Sequence, residues 1–202
     1  MAEELEKKSK KKEEKPGWKK TVVLYMHDLL YMLVTVMVVF LLVFRVIVVS
    51  GSSMYNTLID GDYLLLVSNL FYKDPQYGDI IVASKTSFDD GKPIIKRVIA
   101  TEGQTVDIDF NAGIVYVDGE ALEEDYTYTP TNVEEGMVFH LTVYENCVFD
   151  MGDNRNKYHD SRIRDIGLID QREILGKAIY LFLPGTDEGH SGPDYERMGA
   201  IK

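Results

Sequence analysis

The chain has 202 residues and a net charge of −11, room for one ordinary domain and an appendage. Residues 1–20 hold eight lysines and five glutamates, a charge of +3, which leaves −14 on residues 21–202. That acidity excludes nucleic acid as a partner held through phosphate contacts, and the single cysteine, Cys147, excludes an intrachain disulfide, a Cys-cluster zinc site and a CxxC redox motif.

In chain order, residues 1–20 are dense in Lys and Glu with almost no apolar side chains, the composition of a solvated tail. Leu29 to Phe44 then runs sixteen residues without a charge, about 24 Å of helix at ~1.5 Å per residue. Carried on to Val49 the run reaches twenty-one residues and about 31 Å, the thickness of a bilayer's hydrocarbon. Arg45 can snorkel to the headgroups. Residues 21–49 therefore read as one transmembrane anchor. A cleaved secretory leader is the competing reading, and the apolar segment is too long for one. The lysines before the span place the N-terminus in the cytoplasm and residues 50–202 across the membrane.

Ser50-Gly51-Ser52-Ser53-Met54-Tyr55-Asn56-Thr57-Leu58 follows the span, either as a plain linker or as a turn presenting a serine above the bilayer. Beyond it come short β-rich runs between turn signals: Tyr63–Val67, Asp79–Ser84, Ile94–Ala100, Thr105–Ile108, Ile114–Val117, Val138–Tyr144, Val148–Met151 and Ala178–Leu183. Their spacing predicts a mainly β catalytic domain over residues 50–185, a barrel or sandwich. Val117-Asp118-Gly119-Glu120 reads as a hairpin turn, Asp170–Leu175 as one helical turn, and residues 186–202 as a flexible tail.

Which residues could do chemistry? His27 and His190 lie outside the domain, His140 sits in an alternating strand, and His159 adjoins Asp160 in sequence, where the two side chains diverge. The scattered histidines and carboxylates show no metal-ligand spacing. Cys147-Val148-Phe149 reads as a strand with a buried, inert thiol. A lysine can serve a serine as base once burial lowers its pKa, and Lys96 in Pro93-Ile94-Ile95-Lys96-Arg97-Val98-Ile99 is the candidate. Periodicity alone reads Lys96-Arg97 as an exposed pair at a strand edge. Gly152-Asp153-Asn154-Arg155 and Asp160-Ser161-Arg162 supply two Asp…Arg pairs within eleven residues, a loop pinned by ion pairs or a solvated turn.

Ser50–Leu58, Gly78–Val82, Lys96–Ile99 with Gly103, and Gly152–Arg162 stand in the order and rough spacing of bacterial type I signal peptidases (Ser–Lys peptidase family S26), which the chain resembles from residue 22 to about 184. The resemblance implies a β-rich domain on a membrane helix that cuts signal peptides from exported preproteins after small residues, at the bacterial cell membrane and with no cofactor. It makes Ser53 the nucleophile and Lys96 the general base, with Arg97, Asp153, Asp160, Arg162 and Tyr158 as the supporting residues. The chain departs from the family pattern at Asn56, where proline is usual, and at Tyr158, where a serine near the lysine is usual. A membrane-tethered binding factor without turnover is the reading of a different class. A self-cleaving repressor-type Ser–Lys protease is a third, disfavoured by the span.

Overall fold

The computed structural model describes residues 17–157, 159–187, 189 and 191–201. Most of the charged tail, His190 and Tyr158 lie outside them. The chain divides into two units, residues 1–41 and 42–202.

Helix α1 covers Trp18–Val43, 26 residues or about 39 Å, with none of its side chains buried in the protein. It is long and apolar enough to cross a membrane. The helix stops earlier than the apolar run. Phe44–Val48 form strand β1, which pairs antiparallel with β2 (Tyr63–Ser68) from Phe44↔Val67 to Val48↔Tyr63. A continuous apolar run does not distinguish helix from strand, and the β-branched Val46-Ile47-Val48-Val49 favours the pleated surface that β2 offers.

The remaining strands are β3 (Ile80–Ala83), β4 (Ile94–Thr101), β5 (Thr105–Asp109), β6 (Ile114–Val117), β7 (Glu120–Ala121), β8 (Leu141–Thr142), β9 (Cys147–Met151), β10 (Ile169–Asp170), β11 (Ile174–Leu183) and β12 (Gly199–Ala200). The large antiparallel sheet runs β1-β2-β11-β3-β4-β9-β10, with β12 also on β11; the smaller one runs β7-β6-β5-β8. The fold is mainly β, as the run spacing predicts.

Asp118 and Gly119 both take positive φ between Val117 and Glu120, which pair, so the expected hairpin is a two-residue turn of the primed type. Gln171–Glu173 form the expected helical turn as a 3₁₀ segment capped by Asp170. Of the run Val138–Tyr144 only Leu141–Thr142 is strand, because His140 has φ 64° and breaks the extension. Residues 186–202, expected as a flexible tail, carry a 3₁₀ turn at Tyr195–Arg197 and strand β12.

Three clusters of buried side chains fill the domain, and β4 feeds all of them: Ile95 enters one with Met54, Leu58, Leu64 and Leu66, Ile99 and Ala100 a second with Phe149 and Met151, and Val98 a third with Ile81, Val148 and Ile166. A strand covered on both faces, with β3 and β9 on its flanks, cannot present Lys96-Arg97 to water. The expected edge pair is instead central and buried.

Candidate active site

Residues 49–62 form a loop whose ends are tied: Val49 N–H donates to the Asp62 carbonyl at 2.8 Å and Gly61 N–H to the Val49 carbonyl at 3.0 Å. Gly51 has φ 91°, a left-handed conformation that glycine adopts without strain. Its N–H donates to Asp60 Oδ1 at 2.7 Å. Met54 and Leu58 are buried in the core below, joined by a Leu58 N–H to Met54 carbonyl bond of 2.8 Å. The apolar anchors at 54 and 58 leave Ser53 half-buried at the rim.

Lys96 reaches Ser53 from β4. Its Nζ donates to Ser53 Oγ at 2.8 Å and to the Ile95 carbonyl at 2.9 Å, and the residue is 2% exposed. Burial pulls the Lys96 pKa below its ordinary value, against the opposite pull of the Asp160, Asp150 and Asp153 carboxylates. A desolvated amine within hydrogen-bond reach of a hydroxyl can take its proton.

The loop after β9 docks on the nucleophile's backbone. Asn154 N–H donates to the Ser53 carbonyl at 3.0 Å and Asn154 Nδ2 to the Ser52 carbonyl at 3.1 Å. Gly152 permits this approach, since a Cβ there would run into the Ser53 carbonyl oxygen. Asp153 is fully buried, accepts from Arg97 Nε and Nη2 at 2.9 and 2.8 Å, and takes the Thr57 hydroxyl at 2.5 Å. The Arg97 guanidinium lies 4.1 Å from the Tyr126 ring centroid. Asp160 pairs with Arg162 at 2.9 Å through both carboxylate oxygens and accepts the Gly152 N–H at 3.1 Å; Arg162 also donates to the Arg155 and Val133 carbonyls. Ser53, Lys96, Arg97, Asp153, Asp160 and Arg162 are thus brought together from three separated segments. Tyr158 lies outside the described residues. His159 packs its ring 5.2 Å from Phe88 at the cleft rim, and His140 is exposed and remote.

Several partners escape a reading by motif. Glu124 pairs with the buried Arg155, accepting from Nη1 at 2.8 Å and from Nη2. Asp150 and Glu135 are carboxyls that burial pushes up to about 7. Asp62 accepts from Arg197 in the C-terminal segment at 2.9 and 2.8 Å. These contacts join residues up to 135 positions apart, so no local pattern marks them. An Asp and an Arg of opposite charge are the only signal, and each has many possible mates.

In front of the dyad lies a cleft of about 350 Å³ lined by Ile47, Val49, Met54, Pro93, Ile94 and Ile95 with Ser53 and Lys96 at its floor. A larger cavity, about 790 Å³ between Asn69, Tyr72, Asp170 and Arg172, holds no nucleophile–base pair.

A family model described as signal peptidase, peptidase S26, matches residues 22–183. The chain is 38% identical over 151 residues to probable signal peptidase I-1 of Synechocystis sp., covering 71% of this chain and 74% of that protein. It is 32% identical over 152 residues to signal peptidase I of Leptolyngbya laminosa, covering 72% and 71%. A crystal structure of a signal peptidase I from Enterococcus faecalis V583 aligns with TM-score 0.41 at 29% identity, covering 52% of this chain and 97% of that one. A match over most of the chain, with relatives above 30% identity along most of their own length, assigns the family: the chain belongs to the signal peptidases of peptidase family S26.

Proposed function

We propose that the protein is a membrane-bound serine endopeptidase that removes N-terminal signal peptides from exported preproteins, with Ser53 as nucleophile and Lys96 as general base. The observation that carries the reading is the 2.8 Å contact between Lys96 Nζ and Ser53 Oγ, made by a lysine that is 2% exposed. The cleavage region of the substrate lies extended in the cleft beside Ser53. The neutral Lys96 amine takes the Ser53 hydroxyl proton as Oγ bonds to the scissile carbonyl carbon. The Ser53 backbone N–H donates to the oxyanion. The Lys96 ammonium then returns the proton to the departing amine, leaving an ester on Ser53. Lys96 next takes a proton from water as the water oxygen bonds to the ester carbon, then gives it to Ser53 Oγ as the ester bond breaks. That frees the signal peptide with a new carboxyl terminus and restores the hydroxyl and the neutral amine.

Arg97–Asp153 and Asp160–Arg162 hold the two loops in register behind this pair. Helix α1 anchors the chain in the bacterial cell membrane with the N-terminus in the cytoplasm and the catalytic domain outside. The substrate is then tethered to the same bilayer, which raises its effective concentration.

The test is cleavage of a preprotein by the detergent-solubilised full chain. Ser53→Ala and Lys96→Ala should each abolish the product while keeping a cooperative unfolding transition. Cleavage at the wild-type rate by either folded variant sinks the dyad.

A further inference from the structure

Among the described residues, three of the four buried cations have a close carboxylate: Arg97 has Asp153, Arg155 has Glu124, and Arg162 has Asp160. Lys96 forms no ion pair within 4 Å among the described residues, and two further buried carboxyls stand near this cluster: Glu135, 3.7 Å from Arg162, and Asp150, behind Lys96. Asp150 lies opposite Val98 in the β4–β9 ladder, and Lys96 is two residues before Val98. Both side chains therefore leave the same face as diagonal neighbours, roughly 7–8 Å apart at the backbone.

Asp150 is fully buried. Its Oδ1 accepts the Ser161 hydroxyl at 2.8 Å, the same Ser161 oxygen accepts the Asp150 N–H at 3.0 Å, and Oδ2 has no hydrogen-bond partner among the described residues. An aspartate in the middle of a strand flanked by Val148, Phe149 and Met151 costs stability when ionised, and neither its packing nor its one hydroxyl partner explains it.

We propose that Asp150 acts through Lys96, as the buried acid whose protonation decides whether the base is held as an amine or as an ammonium. This rests on the reading of Lys96 as general base. With Arg97, Arg155 and Arg162 paired, and Glu135 standing beside Arg162, Lys96 and Asp150 can be neutral as a pair in two ways: ammonium with carboxylate, or amine with carboxylic acid. The second form is the one that can accept the Ser53 proton. Burial disfavours both charges: it lifts Asp150 to about 7 and lowers Lys96, and both shifts favour the neutral pair. The other charges facing the pair are Asp160, Asp153 and Arg162 from the segment after β9 and Glu135 from the loop before β8, while the adjacent Arg97 leaves the opposite face of β4. Glu135 is itself pushed up to about 7 by burial.

The test is the pH dependence of kcat/KM for preprotein cleavage by the full chain in detergent. Asp150→Asn keeps the shape and the acceptor for Ser161 but cannot ionise. Lys96 then loses a carboxylate that favours its ammonium, so the acidic limb should move down by about one pH unit. At a pH on that limb, activity relative to the plateau rises about tenfold, while the plateau falls because the base is weaker. Ser161→Ala keeps the carboxyl and removes the hydroxyl that favours its ionised form, so its limb should move the same way by less. A purely structural Asp150 lowers activity at every pH and leaves the limb in place. An unmoved limb in Asp150→Asn, or in Ser161→Ala where the former does not fold, overturns the proposal. Lys96→Ala run alongside separates the two claims, since cleavage by that variant removes the base itself.

Discussion

The C-terminal segment is fastened to the nucleophile's loop through one ion pair, and cutting it is the sharpest test of how Ser53 is positioned. Arg197 sits in the 3₁₀ turn Tyr195–Arg197 and grips the fully buried Asp62 with both guanidinium ends, at 2.9 and 2.8 Å. Its Nη2 also donates to the Thr57 carbonyl at 3.3 Å, and the Thr57 hydroxyl holds Asp153. Arg197→Ala removes all three bonds. Breaking a fully buried pair costs about 3–5 kcal/mol. Here Asp62 keeps the Ile59 and Gly185 N–H donors at 2.9 and 2.8 Å, and the arginine side chain is 22% exposed. The cost should therefore be nearer 2–3 kcal/mol. For a domain of this size that lowers Tm by roughly 4–12 °C. Arg197→Lys keeps the charge but not the fork, and should recover less than half of the loss. Asp62→Ala orphans two backbone donors as well and should fall furthest. Thermal unfolding followed by circular dichroism reads the stability, and preprotein cleavage reads the site. We expect kcat/KM of Arg197→Ala to drop by about tenfold or more at a temperature where it is still folded, since small displacements of a nucleophile are expensive. A variant with wild-type Tm and wild-type cleavage would refute the clamp.

Two further outcomes follow from the same geometry. Gly152→Ala drives a Cβ into the Ser53 carbonyl, backbone against backbone, so the two loops must part. It should cost about 1–3 kcal/mol and cut cleavage by about a hundredfold, measured by unfolding and by product formation. Glu135 and Asp150 have folded-state pKa values raised from 4.5 and 3.8 to about 7, so both hold protons that the unfolded chain has released. Their contribution is favourable below about pH 4 and is lost as pH rises through about 7, so they make the domain less stable at pH 8 than at pH 5. Glu135→Gln should flatten the pH dependence of denaturant stability over that window, and a slope equal to wild type would reject the assignment.

The strands were legible where turns punctuate them. Ile114–Val117 is bounded by Gly113 and by Asp118-Gly119, and the run matches β6 to the residue. Legibility fails where two structures share one composition. Phe44–Val48 reads as the last turn of an apolar helix, and only the β2 ladder, fifteen or more residues on, makes it a strand. Lys96-Arg97 reads as an edge pair because alternation assumes one wet face. Strand β4 has none, and its lysine and arginine are tolerated inside because Ser53 and Asp153 reach them from other segments. The residues of the dyad lay in short blocks with a recognisable order. Their mates Glu124, Asp150, Asp62 and Arg197 do not, because an ion pair formed across a fold leaves no periodic trace.

The contacts divide the work of the site between two sets of residues. Ser53 is placed by groups that hydrogen-bond to its loop: Asn154 on the Ser52 and Ser53 carbonyls, Asp153 on Thr57, and Arg197 on Thr57 and Asp62. None of these hydrogen-bonds to Lys96. The base is governed first by its burial and then by carboxylates that act on it through space, Asp160, Asp150 and Asp153. A lesion at Asn154 or Arg197 displaces an oxygen by some fraction of an ångström and leaves the proton affinity of the amine nearly alone, whereas Asp153 belongs to both sets. A lesion at Asp150 changes that affinity and leaves the oxygen in place, whereas Asp160 also holds the Gly152 N–H and Arg162 and so acts on both. The two therefore carry different signatures: a lowered plateau at unchanged pH limbs for Arg197 or Gly152 variants, and a displaced acidic limb for Asp150. The arrangement is what a buried lysine base requires. Its amine must stay free of strong partners to remain neutral, so the task of holding the loops rigid falls to ion pairs that exclude it.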